Sequence, residues 1–254
     1  MTAVPRVPKP YADADALARQ LGPLEEGPMR ARAAGRRLSR LGPERAALLL
    51  AALMERGAEG GAALSAVGQA LLDPGAGLDY EWRAGLYAAA QALDLPQVAS
   101  LLLAPGPQRP FEEPRDKSDP ALAHLTLGHK KALARLRRDP DFLARLAAEG
   151  EPAVVRELLR NPLLTEPLAV RIASRRPVRP ETLRCLYEDR RWRTRRGVRL
   201  ALARNPFVET EIALQILPTL SAREIAEIAR DGSLHPAVRA MAERLVESRT
   251  PGES

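Results

Sequence analysis

The sequence has a single cysteine, Cys185, which excludes an intrachain disulfide and any metal site built on several thiolates. Aromatic residues make up only 4% of the 254 residues, so leucine, alanine and valine must build the core. This composition favours helices, because strands prefer β-branched and aromatic residues. We also find no sustained alternation of β-branched residues, and therefore predict an all-α fold.

Long apolar runs are also missing. The most apolar stretch, Ala46–Met54, is far too short to span a bilayer, and the first twenty residues contain no apolar segment of signal-peptide length. The sequence therefore predicts no transmembrane segment and a cytoplasmic location.

Motifs that carry chemistry are absent as well. No glycine-rich phosphate loop follows a strand pattern, and His124 and His129 are five residues apart, which does not place them on one helix face. Cys185 has no histidine near it in sequence, and we interpret it as a small buried residue. We predict no catalytic residue, no metal site and no cofactor, and regard the chain as non-enzymatic.

What the sequence does contain is a succession of helix-length segments that end in glycine or proline. Residues 105–120 hold five prolines and charges of both signs, which is typical of a linker or a long surface loop. We predict an N-terminal helical domain at 1–104, this linker at 105–120, a helical-repeat domain at 121–249 and a tail at 250–254.

An internal repeat defines the second half. The segment Val154–Ala173 matches Val198–Leu217 without a gap at an offset of 44 residues, so that Arg-Asn-Pro at 160–162 falls on Arg-Asn-Pro at 204–206. Asp139-Pro140 lies 22 residues before Asn161-Pro162, and we interpret the repeating unit as 22 residues long. Each unit is too small to bury its own apolar face, so the units must stack.

The turn of this repeat is readable from its residue types. Proline cannot continue a helix, so each helix ends at Arg-Asn, and two apolar residues then pack under the turn. Thr165 and Thr210 are candidates to cap the next helix. Helix, Arg-Asn-Pro, two apolar residues and a further apolar helix together resemble the leucine-rich repeat variant family and, more broadly, HEAT-like α-solenoids. That resemblance covers about residues 129–249 and implies a curved stack of helices, a scaffold found in many bacterial proteins.

The resemblance leaves one enzymatic alternative open, since some HEAT-like solenoids are DNA glycosylases that use tryptophan and aspartate. The only tryptophans here, Trp82 and Trp192, each follow an aspartate by three residues, Asp79 and Asp189 respectively. We prefer the interpretation that both tryptophans pack within the fold.

Positive charge is gathered in one segment. The formal net charge is +7, yet residues 171–204 hold twelve arginines against three acids. Three acids cannot neutralise twelve arginines, and Arg190, Arg191 and Arg193 precede a predicted helix at about 194–204, where cations oppose the helix dipole. We therefore predict a basic surface that binds an anionic partner, with these candidate residues: Arg175, Arg176, Arg190, Arg191, Trp192, Arg193, Arg195, Arg196 and Arg199.

The preferred function is a protein–protein interaction scaffold whose basic surface binds an acidic protein. The alternative is a nucleic-acid-binding α-solenoid, for which the aromatic residues in the segment are few. The arginines from 190 to 196 are the ones that the repeat itself does not require, because the earlier copy has no arginine there.

Overall fold

A computed structural model describes residues 11–24, 28–56, 60–102, 106–112 and 119–249. The structure is all-helical: 69% of the described residues lie in helices, and no strand occurs among them. This confirms the predicted all-α class. Among the same residues, no helix combines the length and the apolar composition needed to cross a membrane. The predicted tail at 250–254 lies outside the described residues.

The chain forms two compact units. Unit 1 contains residues 1–104, 214–229 and 240–254, and unit 2 contains residues 105–213 and 230–239. The first division falls at the predicted start of the linker. Residues 214–229 and 240–249 belong with the N-terminal helices, whereas the sequence groups them with the repeats.

Unit 1 is built on apolar helices whose alanines and leucines face inward. Helix α3 (Pro43–Glu55) is buried along most of its length, with Leu49, Leu50 and Leu53 fully inaccessible. Its helices are α1 (Tyr11–Leu21), α2 (Pro28–Ser39), α3 (Pro43–Glu55), α4 (Gly61–Leu72), α5 (Tyr80–Ala92), α6 (Pro96–Ser100) and α14 (Ala222–Ala229), with two 3₁₀ turns, η1 (Pro74–Ala76) and η2 (Leu217–Thr219).

Unit 2 contains shorter helices, several of which have proline in the first turn, where its missing N–H is not needed. They are α7 (Leu127–Leu136), α8 (Pro140–Glu149), α9 (Pro152–Leu159), α10 (Glu166–Ser174), α11 (Pro180–Glu188) and α12 (Arg196–Ala203). Two further helices, α13 (Thr210–Ile216) and α15 (Pro236–Arg249), each contribute residues to both units.

The helices of the second half do not follow the predicted 22-residue spacing. Helices α9 to α15 begin at residues 152, 166, 180, 196, 210, 222 and 236, which is 12 to 16 residues apart. The 44-residue match therefore spans three helices and superimposes α9 on α12. Asp139, which suggested the shorter period, precedes α8 and caps it by accepting the backbone N–H groups of Asp141 and Phe142.

Within unit 2, helices pack chiefly on the second helix along the chain: α7 on α9, α9 on α11, and α10 on α12. The two asparagines reinforce this pattern. The Asn161 amide donates to the carbonyl oxygens of Ala134 at 2.8 Å and Arg137 at 2.9 Å, at the end of α7. The Asn205 amide donates to Ala173 at 2.7 Å and Arg175 at 3.0 Å, at the end of α10.

The two turns are thus equivalent in detail. In each, the asparagine side-chain oxygen also accepts the N–H two residues on, from Leu163 at 2.9 Å and from Phe207 at 3.0 Å. Thr165 is the N-cap residue of α10, as predicted, but its side chain makes no capping bond. The Thr210 hydroxyl donates to the carbonyl oxygen of Gly106 at 2.7 Å.

Part of the predicted linker packs on unit 2. The backbone N–H of Arg109 donates to Pro206 at 3.0 Å, and the guanidinium carbon of Arg179 lies 5.6 Å from the centre of the Phe111 ring. Residues 106–112 therefore follow the surface of unit 2 beside the turn after α12. Residues 113–118 of the linker lie outside the described residues.

Candidate anion-binding surface

The nine candidate residues occupy two different turns and one helix start. Arg175 and Arg176 lie between α10 and α11, whereas Arg190 to Arg193 lie between α11 and α12. Arg195 is the residue before α12, and Arg196 and Arg199 are inside it. Six are exposed, namely Arg175, Arg176, Arg190, Arg191, Arg195 and Arg196, and Arg199 is half-buried.

Trp192 and Arg193 are not surface residues. Trp192 is 1% exposed, lies in the turn before α12, and donates its indole N–H to the carbonyl oxygen of Leu159 at 3.2 Å. Arg193 is 7% exposed. Burial raises the pKa of Tyr187, and the charge of Arg193 opposes that shift, which indicates that the guanidinium lies near the phenol. These two candidates are core residues of unit 2.

Arg191 has a specific place in the fold, contrary to the expectation that the fold does not require the arginines at 190–196. Its guanidinium donates to the carbonyl oxygens of Asn161 at 3.3 Å and Leu164 at 2.9 Å, and it stacks 4.3 Å from the Trp192 ring. Arg191 thus binds two carbonyl oxygens of the turn after α9. The earlier repeat copy has Ala147 at the equivalent position.

Arg195 and Arg196 face outward at the start of α12. The Arg195 guanidinium lies 3.9 Å from Glu166, an exposed contact of little energetic weight. Gly197 lets α12 approach α10, since a Cβ there would lie 3.1 Å from Val170. Arg199, predicted as part of the basic surface, is half-buried.

Arg175 and Arg176 belong to a different group of turns. The Arg175 carbonyl accepts the Asn205 amide, and the Arg176 guanidinium donates to the carbonyl oxygen of Arg204. Burial acts to raise the pKa of nearby Asp231, but its hydrogen bonds from Ser233 and the charges of Arg204 and Arg176 outweigh burial and lower that pKa. This pair therefore joins the turns after α10 and α12.

Asn161 and Arg191 together place three other turns side by side. Asn161 bonds the turn after α9 to the end of α7, and Arg191 bonds the turn after α11 to the turn after α9. These hydrogen-bonded turns, with the first residue of α12, carry five exposed arginines. We call this set the arginine edge, and it comprises Arg138, Arg160, Arg190, Arg195 and Arg196.

Both Asp-x-x-Trp pairs have the same local function. Asp79 accepts the backbone N–H of Trp82 at 2.8 Å as the residue that caps α5, and Asp189 accepts the N–H of Trp192 at 3.2 Å. Trp192 cannot stack on a base without leaving the core.

Cys185 is buried, as predicted, and burial is the main cause that raises the pKa of its thiol. No group of three or more His, Cys, Asp or Glu residues that could hold a metal ion occurs in the described part of the chain.

The sequence analysis missed a second set of cations, on α2 in unit 1. Residues 28–43 contain five arginines and no acidic residue. The net positive charge of residues 28–43 is smaller in total than that of residues 171–204, but it lies within about the length of one helix. Arg32, Arg36 and Arg40 are exposed, and Arg37 is half-buried.

Comparison of the chain with protein-family models, with curated proteins and with solved structures finds no match in any of the three. The resemblance to leucine-rich repeat variants and HEAT-like proteins therefore remains a prediction from the residues alone.

Proposed function

We propose that unit 2 is a helical-repeat interaction module of the α-solenoid type, and that its arginine edge binds an acidic protein. Two features support the repeat architecture: the second-neighbour packing of the helices and the matching hydrogen bonds of Asn161 and Asn205. Neither feature depends on the comparison with other proteins.

The proposed binding of an acidic protein rests on the three neighbouring turns after α7, α9 and α11. Because Asn161 and Arg191 tie neighbouring turns together, the arginine edge is held by the fold rather than by long side chains alone. A preorganised row of guanidinium groups binds carboxylates with less loss of conformational entropy than a mobile one.

An acidic protein is favoured over a single-stranded nucleic acid at this edge. Proteins that hold single strands without sequence preference combine positive charge with exposed aromatic side chains on which bases stack. The one aromatic residue among the candidates, Trp192, is 1% exposed and bonded to Leu159. Carboxylate recognition by arginine requires no such ring.

The experiment is a pull-down from nuclease-treated lysate with the full chain, in which the bound proteins are quantified by mass spectrometry. We expect Arg195→Glu with Arg196→Glu to lose an Asp/Glu-rich set of proteins at least fivefold, because charge reversal repels carboxylates. The matched control is Lys131→Glu with Arg171→Glu, which makes the same change of charge at exposed positions on α7 and α10 of the same unit.

Circular dichroism of each variant establishes that the helices are retained. A partner set that is unchanged by the Arg195/Arg196 variant, or reduced equally by the control, overturns the proposed surface. Partners that appear only when nuclease is omitted overturn the acidic protein in favour of nucleic acid.

A further inference from the structure

We propose that α2 of unit 1 is a binding site for the phosphate backbone of nucleic acid, independent of the arginine edge of unit 2. The site consists of Arg32, Arg36 and Arg40, which we call the α2 stripe. Arg32 and Arg36 are exposed positions of α2, and Arg40 is the exposed residue that follows its last residue, Ser39.

The spacing of the α2 stripe gives it a regular geometry. Positions four apart in a helix share a face and are separated by about 6 Å along the axis. The three guanidinium groups thus form a row of like charges at roughly even intervals. Such a row matches a polymer of evenly spaced anions better than it matches a protein surface of mixed sign.

Packing fixes the direction in which the stripe points. The apolar residues Ala31, Ala34 and Leu38 of α2 are buried. Gly35 lies so close to η1 that an added Cβ would be 2.2 Å from the carbonyl oxygen of Ala76, so only glycine allows this contact. The helix is therefore anchored through one face, and the arginine face is left to solvent.

The stripe is also poor in counter-charges within the fold. Arg30, on another face, donates to the Leu24 carbonyl oxygen at 3.0 Å and is structural. Arg32 has Asp73 at 3.7 Å, but no described residue brings a carboxylate within 4 Å of Arg36 or Arg40. The helix dipole favours cations in the last turn by about 0.3–1 kcal/mol each, which accounts for part of this placement but not for Arg32, in the first half of the helix.

Two other anionic partners fit the stripe less well. A membrane-surface helix inserts an apolar face, whereas the apolar face of α2 is already buried in unit 1. A protein interface has an apolar or aromatic core, whereas Met29 is the one large apolar side chain exposed on α2 beside the arginines. Arginine binds phosphate through paired hydrogen bonds, and backbone contacts of this kind carry no base sequence information.

The test is fluorescence anisotropy of the full chain with a labelled 20-base-pair DNA duplex of mixed sequence at several salt concentrations. We expect wild-type affinity to fall steeply with salt. The variant Arg32→Gln, Arg36→Gln, Arg40→Gln should bind at least tenfold more weakly at low salt, and its slope of log affinity against log salt should be shallower by about 2–3, since each phosphate contact contributes about 0.9.

The matched control removes the same three charges from exposed arginines elsewhere in unit 1, with Arg45→Gln, Arg223→Gln and Arg244→Gln. It should bind within about twofold of wild type if the position of the charges matters more than the net charge. Glutamine keeps helix propensity close to that of arginine, and thermal melts of both variants establish that they fold.

Several outcomes overturn the proposal: equal losses in both triple variants, a wild-type affinity that salt does not reduce, or preferential binding through the stripe to phosphatidylserine vesicles or to polyglutamate. Loss of duplex binding in Arg195→Glu with Arg196→Glu, but not in the stripe variant, also overturns it by moving the nucleic acid to unit 2. The proposed function of unit 2 fails separately, through the pull-down.

Discussion

Four consecutive residues in the turn after α11 have different environments, although three of them are arginines. Arg190 is exposed, Arg191 bonds two carbonyl oxygens, Trp192 is in the core, and Arg193 is 7% exposed beside Tyr187. A count of charges treats the arginines as equal. Successive residues in a turn point in different directions, so only the tertiary contacts decide which arginines remain available to a partner.

Arg191 provides the test at this scale. We expect Arg191→Lys to lower the free energy of unfolding by about 1–2 kcal/mol, because an ammonium keeps the charge but cannot reach both the Asn161 and the Leu164 carbonyl oxygens in the geometry of a guanidinium. The measurement is urea unfolding followed by circular dichroism and tryptophan fluorescence. The control, Arg138→Lys, is in an exposed position of the turn after α7 and should change stability by less than about 0.5 kcal/mol. Equal effects of the two substitutions would show that the two hydrogen bonds of Arg191 do not stabilise this turn.

At the scale of the helix and its turn, the sequence predicted where the helices end but not which other helices those ends contact. Proline and asparagine correctly mark the end of α9 and of α12. The buried amide contacts of Asn161 and Asn205 to the helix two before them involve residues 24 to 32 positions away, which local residue preferences do not encode.

The predicted 22-residue period was wrong because the residues of the turns differ from one turn to the next. Only the turns after α9 and α12 carry Arg-Asn-Pro, so the match at 44 residues skips the two helices between them, whose turns use other residues. Because the matching turn residues occur only after every third helix, the sequence match does not give the spacing of single helices. The helical segments themselves and the break at residue 104 follow from composition and from glycine and proline, which act locally.

Asn161 and Asn205 are the only asparagines of the chain, and replacing either with aspartate tests the turn. We expect a loss of about 2–4 kcal/mol for each, because the amide donates two hydrogen bonds to carbonyl oxygens and a buried carboxylate would face the same oxygens without a proton. A protonated carboxyl group can donate one bond, so the loss should be smaller at pH 4 than at pH 8.

The measurement for both variants is chemical unfolding at the two pH values. Gln91→Glu makes the same amide-to-acid change at an exposed position of α5, and it should alter stability little. Losses below about 0.5 kcal/mol at pH 8 for either asparagine would show that these contacts do not hold the turns together.

At the scale of the whole molecule, the first described helix, α1, and the last described residues, 240–249, belong to one unit. The guanidinium of Arg249, at the end of α15, donates to the carbonyl oxygens of Met54 at 3.0 Å, Pro218 at 2.7 Å and Leu220 at 3.0 Å. Burial lowers the pKa of this guanidinium. The predicted repeat domain at 121–249 crosses this division because a sequence comparison groups helices by resemblance, whereas folding groups them by the apolar surface they share.

The discontinuity of unit 1 predicts that residues 1–104 do not fold by themselves. Helix α4 packs on η2, and Gly68 lies so close to Gln215 that an added Cβ would be 2.9 Å from its side-chain oxygen. Without residues 214–229 and 240–249, the face of α4 that packs on η2 and the end of α3 are exposed to water. This exposure costs roughly 25 cal/mol for each Å² of apolar surface. We expect a 1–104 fragment to bind a hydrophobic dye and to melt without cooperativity, and a co-expressed 214–254 fragment to restore part of the cooperative transition. A sharp melt of the 1–104 fragment alone, at the temperature of the full chain, would show that the N-terminal helices form a complete core.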